Sequence, residues 1–214
     1  MITVAILSLA LGADGEWKPL FDGKTLAGWT QKGGKATYVV EDGCIVGGSV
    51  PNTGNSFLCT DKEYGDFTLE VEFKVDPALN SGVQIRSHSF DKATEVEWKG
   101  KKIKIGAGRV HGYQVEIDPL PRAFSGGIYD EGRRAWLQDL SKNETARKAF
   151  KQNEWNTFKI ECRGDSIKTW INDVPAADLK DGMTPKGFIA LQVHGVGKKT
   201  EKLEVRWRNI RIKE

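Results

Sequence analysis

The chain has 214 residues, 32 of them basic and 29 acidic, for a net charge of +3. That near balance excludes the basic patch or stripe a nucleic-acid partner requires, and the short basic stretches at Lys99–Lys104 and Lys198–Lys199 read as solvated loops. With 39% hydrophobic and 29% charged residues, the composition is that of a soluble globular protein, long enough to bury a sizeable core.

The chain opens on an apolar run, Ile2–Leu11, that ends in Leu11-Gly12-Ala13. It is shorter than the roughly 20 apolar residues that span a bilayer, so no membrane span is expected. It matches the apolar region and small-residue cleavage end of an export signal. Residues 1–13 are therefore expected to be a leader remnant, and residues 14–214 one β-sandwich domain in the periplasm or outside the cell. Of the three cysteines, Cys44 and Cys59 lie on consecutive candidate strands and could pair in an oxidising compartment. Cys162 sits among alternating core residues and reads as a small buried hydrophobe. The spacing of the three fits no zinc pattern.

From there, period-two alternation dominates. Phe67, Leu69, Val71, Phe73 and Val75 share one strand face, and Thr68, Glu70, Glu72 and Lys74 the other. Asp76-Pro77 ends that strand, and Asn80-Ser81-Gly82 turns into the next, where Val83 and Ile85 alternate with Gln84, Arg86 and His88. Tyr113, Val115 and Ile117 then alternate with Gln114, Glu116 and Asp118. Ser141 and Glu144 have capping-box spacing, which predicts one short helix through Ala146–Phe150. Later strands are predicted over 157–163, 167–172, 188–194 and 203–213, the last with a phase change that predicts a β-bulge near Arg208-Asn209. Seven Trp and 24 Gly in such a pattern point to an all-β sandwich with tight corners.

Chemistry concentrates on the polar faces. Gln114, Glu116 and Asp118 share a face, with the last two Cα atoms about 6.6 Å apart, two strand rises. Gln84 and Arg86 line another strand with His88, and Gln192 and His194 a third. Such a set can bind sugar hydroxyls, or hold a carboxylate and a cation together for acid–base work. Tyr129 and Trp136 offer flat faces for a pyranose ring. Together with Arg133 and Arg134, Trp136 makes the segment 130–153 the expected specificity element. His111, Glu116 and His194 are of types that suit a transition ion, but no spacing requires one, so no metal or cofactor is assigned. Nucleophile-elbow, P-loop and H-E-x-x-H motifs are missing.

Several segments carry a resemblance over nearly the whole mature chain: Leu20-Phe-Asp-Gly-Lys-Thr-Leu-Ala-Gly-Trp29, Asn80-Ser-Gly-Val-Gln-Ile-Arg86, Gly112-Tyr-Gln-Val-Glu-Ile-Asp118, Gly127-Ile-Tyr129, Glu154-Trp-Asn156, Gly187-Phe-Ile-Ala-Leu-Gln-Val-His-Gly195 and Trp207-Arg-Asn-Ile210. In these the chain resembles the 3-keto-disaccharide hydrolase family. The resemblance implies a concanavalin A-like jelly-roll sandwich of two antiparallel sheets, in an exported bacterial protein acting on oxidised glycosides. Laminarinase-like glycosidases of the same fold carry Glu-x-Asp-x-Glu on the active strand. Here Glu116-Ile-Asp118 is followed by Leu120-Pro121, so the second glutamate is missing. Double displacement needs two carboxyl groups about 5–5.5 Å apart.

A 3-keto sugar needs less, because the carbonyl acidifies the proton at C2. The expected enzyme uses Glu116 or His194 as base and Arg86 to stabilise the oxyanion. Asn80, Gln84, Gln114, Asp118, Gln192, Tyr129 and Trp136 are expected to bind the carbohydrate. The competing readings are a non-catalytic, lectin-like carbohydrate-binding module and a conventional glycosidase.

Overall fold

The computed structural model describes residues 15–214. The expected leader and its cleavage point lie outside the described residues. In chain order the strands are β1 (Lys18–Pro19), β2 (Trp29–Gly33), β3 (Thr37–Glu41), β4 (Cys44–Gly48), β5 (Ser56–Tyr64), β6 (Phe67–Val75), β7 (Ser81–Ser89), β8 (Thr94–Trp98), β9 (Lys101–Ile105), β10 (Val110–Ile117), β11 (Ile128–Glu131) and β12 (Ala135–Gln138). Helix α1 (Glu144–Ala149) precedes β13 (Asn156–Arg163), β14 (Ser166–Ile171), β15 (Val174–Lys180), β16 (Gly187–Val193) and β17 (Glu204–Lys213). One sheet runs β15-β14-β13-β6-β17-β4-β3, with β1 beside β17, and the other runs β12-β11-β10-β7-β16-β5-β2. Strands β8 and β9 form a separate hairpin. All the pairings are antiparallel, which is the expected sandwich.

Alternation places the core between the sheets. Phe67, Leu69, Val71 and Phe73 of β6, Phe158 and Ile160 of β13 and Trp207 of β17 face Val83 and Ile85 of β7, Tyr113, Val115 and Ile117 of β10 and Ile189 and Leu191 of β16. The outer face of the seven-stranded sheet therefore receives the intervening residues, and the predicted polar groups fall there. The bulge in β17 is present: its register with β6 shifts between Arg208 and Arg211, around Asn209 at φ +50°.

Three expectations change. Helix α1 is capped by Asn143, whose side chain accepts from the Ala146 amide at 3.1 Å; Ser141 instead bonds Asp139. Asn143 is held in place by donating to the carbonyls of Pro175 and Ala176. Cys44 and Cys59 are both free. Cys44 lies on β4 of one sheet and Cys59 on β5 of the other, each on an outward face with the core between them, so no disulfide can close. Cys162 is buried in the core as predicted, and burial pushes its thiol up to about 12.

The third change concerns β7. Its register shifts against both β10 and β16 around Arg86, a non-glycine residue at φ +46°. The bulge breaks the alternation and turns Arg86 away from the polar face. Gly112 and Gly187 flank the bulge on the neighbouring strands. A Cβ on Gly112 would lie 2.3 Å from Ser87 Oγ, and one on Gly187 would lie 2.5 Å from the Arg86 carbonyl carbon. Glycine at both positions is what admits the bulge.

Candidate active site

A cavity of about 380 Å³ opens on the outer face of the seven-stranded sheet, lined by Asn80, Gln114, Glu116, Tyr129, Gln192 and His194, among others. The register explains its shape. Glu116 of β10 lies opposite Gly82 of β7, and Gly82 lies opposite Gln192 of β16. The middle position of this row carries no side chain, so a hollow opens between Glu116 and Gln192. In the next row Tyr129, Gln114, Gln84 and Ala190 lie side by side. Gln114 lies over Gly82, where a Cβ would come within 2.6 Å of the Gln114 side chain.

Glu116 is 5% exposed and is held from both sides. Asn80 Nδ2 donates to one carboxyl oxygen at 2.7 Å and Gln114 Nε2 to the other at 2.6 Å. The chain of donors continues behind it. Gln84 Nε2 donates to Gln114 Oε1 at 2.6 Å, and Ser87 Oγ donates to Gln84 Oε1 at 2.7 Å. Every bond in the series points its hydrogen toward Glu116. Both of its oxygens are acceptors, the pattern of an ionised carboxylate. Burial opposes ionisation and dominates, raising the Glu116 pKa to about 7 against the pull of Asn80 and Gln114. Asp118 raises it further and Arg122 lowers it.

Gln192 has no exposure, and neither its Nε2 nor its Oε1 has a partner within the described protein. An unpaired buried amide costs about 1–3 kcal/mol, and this one borders the cavity. His194, just beyond β16, is exposed, and its Nδ1 lies 2.8 Å from the Gly195 carbonyl oxygen. The carbonyl can only accept, so Nδ1 is the donor in that contact. Tyr129 and Trp136 meet edge to face with ring centroids 5.3 Å apart, and the Arg122 guanidinium lies 5.6 Å from the Trp136 ring.

The model of the family described as the 3-keto-α-glucoside-1,2-lyase-like domain matches residues 16–213. The chain belongs to this family. A relative from Bacteroides thetaiotaomicron named 3-keto-disaccharide hydrolase is 29% identical, over 97% of this chain and 81% of its own. Among solved structures, a proposed glycosyl hydrolase from Parabacteroides distasonis is similar with a TM-score of 0.59 at 19% identity, covering 93% of each chain. The carbohydrate-binding module CBM66 of Bacillus subtilis has a TM-score of 0.59 at 17% identity, over 87% of this chain and 96% of its own. These structures share the fold. The family is carbohydrate-active and glycosidase-like.

In this cavity the structure gathers Asn80, Gln114, Glu116, Tyr129, Trp136, Gln192 and His194, with Gln84 supporting Gln114 from behind. It separates Arg86 and Asp118, both expected there, and His111, whose residue type alone suited a metal ion. Arg86 is wholly buried, bonded to the carbonyls of Gly65 and Gly164 at 2.8 and 2.7 Å and to Asp66 at 2.9 Å. It ties two turns together and cannot reach an oxyanion in the cavity. Asp118 is buried in the loop after β10, where it accepts from Arg122 Nε at 2.5 Å and from the Leu120 amide at 3.3 Å. The strand ends at Ile117, so the alternation that put Asp118 beside Glu116 no longer applies. His111 lies behind the site, 4.9 Å from the Phe90 ring and 6.1 Å from His88, because the register shifts at Gly112. Burial lowers its pKa to about 4. Among the described residues no group of three or more His, Cys, Asp or Glu side chains is placed to hold a metal ion.

Of the expected specificity segment, only Glu131 and Trp136 line the cavity. Arg133 and Arg134 both bond Asp130 and reach Thr184 and Asp181. Sequence reasoning missed Glu131 and Arg122. Glu131 is nearly buried, paired with Arg109 at 3.0 Å, and its pKa is raised by that burial. Its signal was present, since Tyr129 and Glu131 are two apart on one strand face. Arg122 had no periodic signal, because it sits on a loop and is placed by Asp118.

Proposed function

We propose that the chain cleaves the glycosidic bond of 3-keto-glycosides by elimination, with Glu116 as the base. The carboxylate takes the proton from C2, and the electron pair of that C–H bond becomes an enolate with the C3 carbonyl. The enolate then collapses. Its electrons form the C1–C2 double bond and expel the C1 oxygen, and the C3 carbonyl returns. Glu116 hands its proton to the departing oxygen and is ionised again. Water added across the new double bond completes a net hydrolysis. A group with a pKa near 7 suits both transfers. The unpaired Gln192 amide, across Gly82 from Glu116, supplies a donor for the enolate oxygen in place of the distant Arg86. Asn80 and Gln114 orient the base, and Tyr129 and Trp136 offer faces to the ring.

The observation that carries this reading is the buried Glu116, held by two amides and poised near neutrality. Conventional double displacement is disfavoured, since Asp118 is turned into its loop and Glu131 is engaged by Arg109. For a purely binding module, nothing requires a desolvated carboxylate at the floor. Glu116→Gln should lose turnover of a 3-keto-glucoside by about 10³-fold or more while still binding it, since one essential proton transfer is removed. In the unaltered protein kcat/KM should rise with pH and level off above about 7, as the base of the free enzyme ionises. Full turnover by Glu116→Gln, or a rate that falls over this range, would contradict the assignment.

A further inference from the structure

We infer that a second cavity beside the Glu116 site is the subsite for the leaving group of the substrate, a second sugar ring. The inference rests on the proposed reaction for its substrate class. The second cavity, about 740 Å³, shares Glu131 with the first, and the Arg109–Glu131 ion pair stands between the two. The first cavity, at about 380 Å³, is near the lower end of the roughly 300–1,000 Å³ of small-molecule sites, room for one ring and its waters. A longer substrate must therefore continue into a neighbouring space. The alternative neighbour, past Asn80 and His194, is a recess of about 230 Å³ without an aromatic wall. The larger cavity has the chemistry a neutral polyol uses: the Phe57 ring, the Asn55 amide and the half-exposed Arg109 guanidinium.

Its remaining wall is Ala107, Val110 and a group of glycines, and not all of those glycines are dictated by packing. A Cβ on Gly34 would meet the Gly54 carbonyl at 2.1 Å, and one on Gly33 the Asn55 carbonyl at 2.6 Å, so those two must be glycine. Gly54 is different. A Cβ there meets nothing within 4 Å, and its φ lies outside the left-handed region. The fold has no need of glycine at 54. A side chain there would enter open space at the edge of the cavity that Gly54 lines.

The test is calorimetric binding of two probes to Glu116→Gln and to Glu116→Gln carrying Gly54→Phe. The probes are methyl 3-keto-α-glucoside and maltose oxidised at C3 of its non-reducing ring. The disaccharide should bind about tenfold more tightly than the methyl glycoside. Gly54→Phe should abolish that advantage and leave methyl glycoside binding within about twofold. Gly54→Leu, a smaller obstruction, should reduce the advantage in part. Equal affinity for both probes, or a Gly54→Phe effect that is absent or the same for both, would overturn the subsite. Turnover by the unaltered protein is scored separately. If the binding pattern holds and neither probe is cleaved, the reaction is wrong and the subsite stands. Cleavage without a disaccharide advantage overturns the subsite alone.

Discussion

Two opposed influences meet at Glu116. Its amide partners favour the carboxylate, and its burial favours the acid. The balance has a consequence for stability. Below about 4.5, the ordinary value, the group is protonated in folded and unfolded chains alike and pH has no effect through it. Between there and about 7 the folded chain keeps a proton the unfolded chain has lost, so stability falls as pH rises through this window. The full cost, on the order of 3 kcal/mol, is present above 7. Glu116→Gln should therefore be more stable than the parent at pH 8 by up to about 3 kcal/mol, and nearly equal to it at pH 4, in urea titrations at the two pH values. Arg86 is the contrasting residue, a fully buried cation serving the fold. Arg86→Leu should cost about 2–4 kcal/mol, because two carbonyls lose a charged donor. The exposed Asp66 can be resolvated, which limits the loss. Turnover per folded molecule should stay within about threefold, as Arg86 lines no part of the cavity. A stable but inactive Arg86→Leu would return that residue to the site.

Strand β7 does two jobs at the scale of the element. Before its bulge, Gly82 opens the cavity floor and lets Gln114 lie flat; at the bulge, Arg86 swings inward. Gly82→Ala should force Gln114 aside by an ångström or so, since the new Cβ would sit 2.6 Å from its side chain. The displaced amide misaligns Glu116, and kcat should drop about 10–100-fold with little change in the thermal midpoint. An unaltered kcat would show that the relay from Ser87 through Gln84 and Gln114 does not set the position of the base. The sequence revealed the polar face of this strand but not its bulge. Arg86 keeps the correct alternation phase in sequence, and only the pairing with β10 and β16 shows where the phase breaks. Gly112 and Gly187, each beside the bulge, were the available clue. The strands β1, β2 and β3 were not predicted, and neither were β8, β9, β11, β12 and β15: short segments such as Thr37–Glu41 carry little hydrophobic alternation of their own.

In the whole molecule, core alternation in β6, β7, β10, β13 and β16 was readable because one face of each strand is apolar throughout. That alone fixes two sheets with Gln114, Glu116 and Gln192 on an outer face. The site was legible to the same extent: residues on regular strands were placed correctly, and residues past a strand end or a bulge, Asp118 and Arg86, were not. Glu131, Arg122 and the free amide of Gln192 depend on packing that no periodicity encodes. What unites the molecule is a sandwich that holds the desolvated, amide-gripped carboxylate of Glu116 on the outer face of one sheet, placed to abstract the C2 proton in the proposed reaction. The most direct measurement compares a 3-keto-glucoside with its C2-deuterated form, alongside the unoxidised glucoside. Abstraction of the C2 proton by Glu116 should give a primary isotope effect of about 2 or more on cleavage of the keto substrate, and the plain glucoside should not be cleaved. Equal rates for the two isotopologues together with release of sugar from the plain glucoside would contradict it.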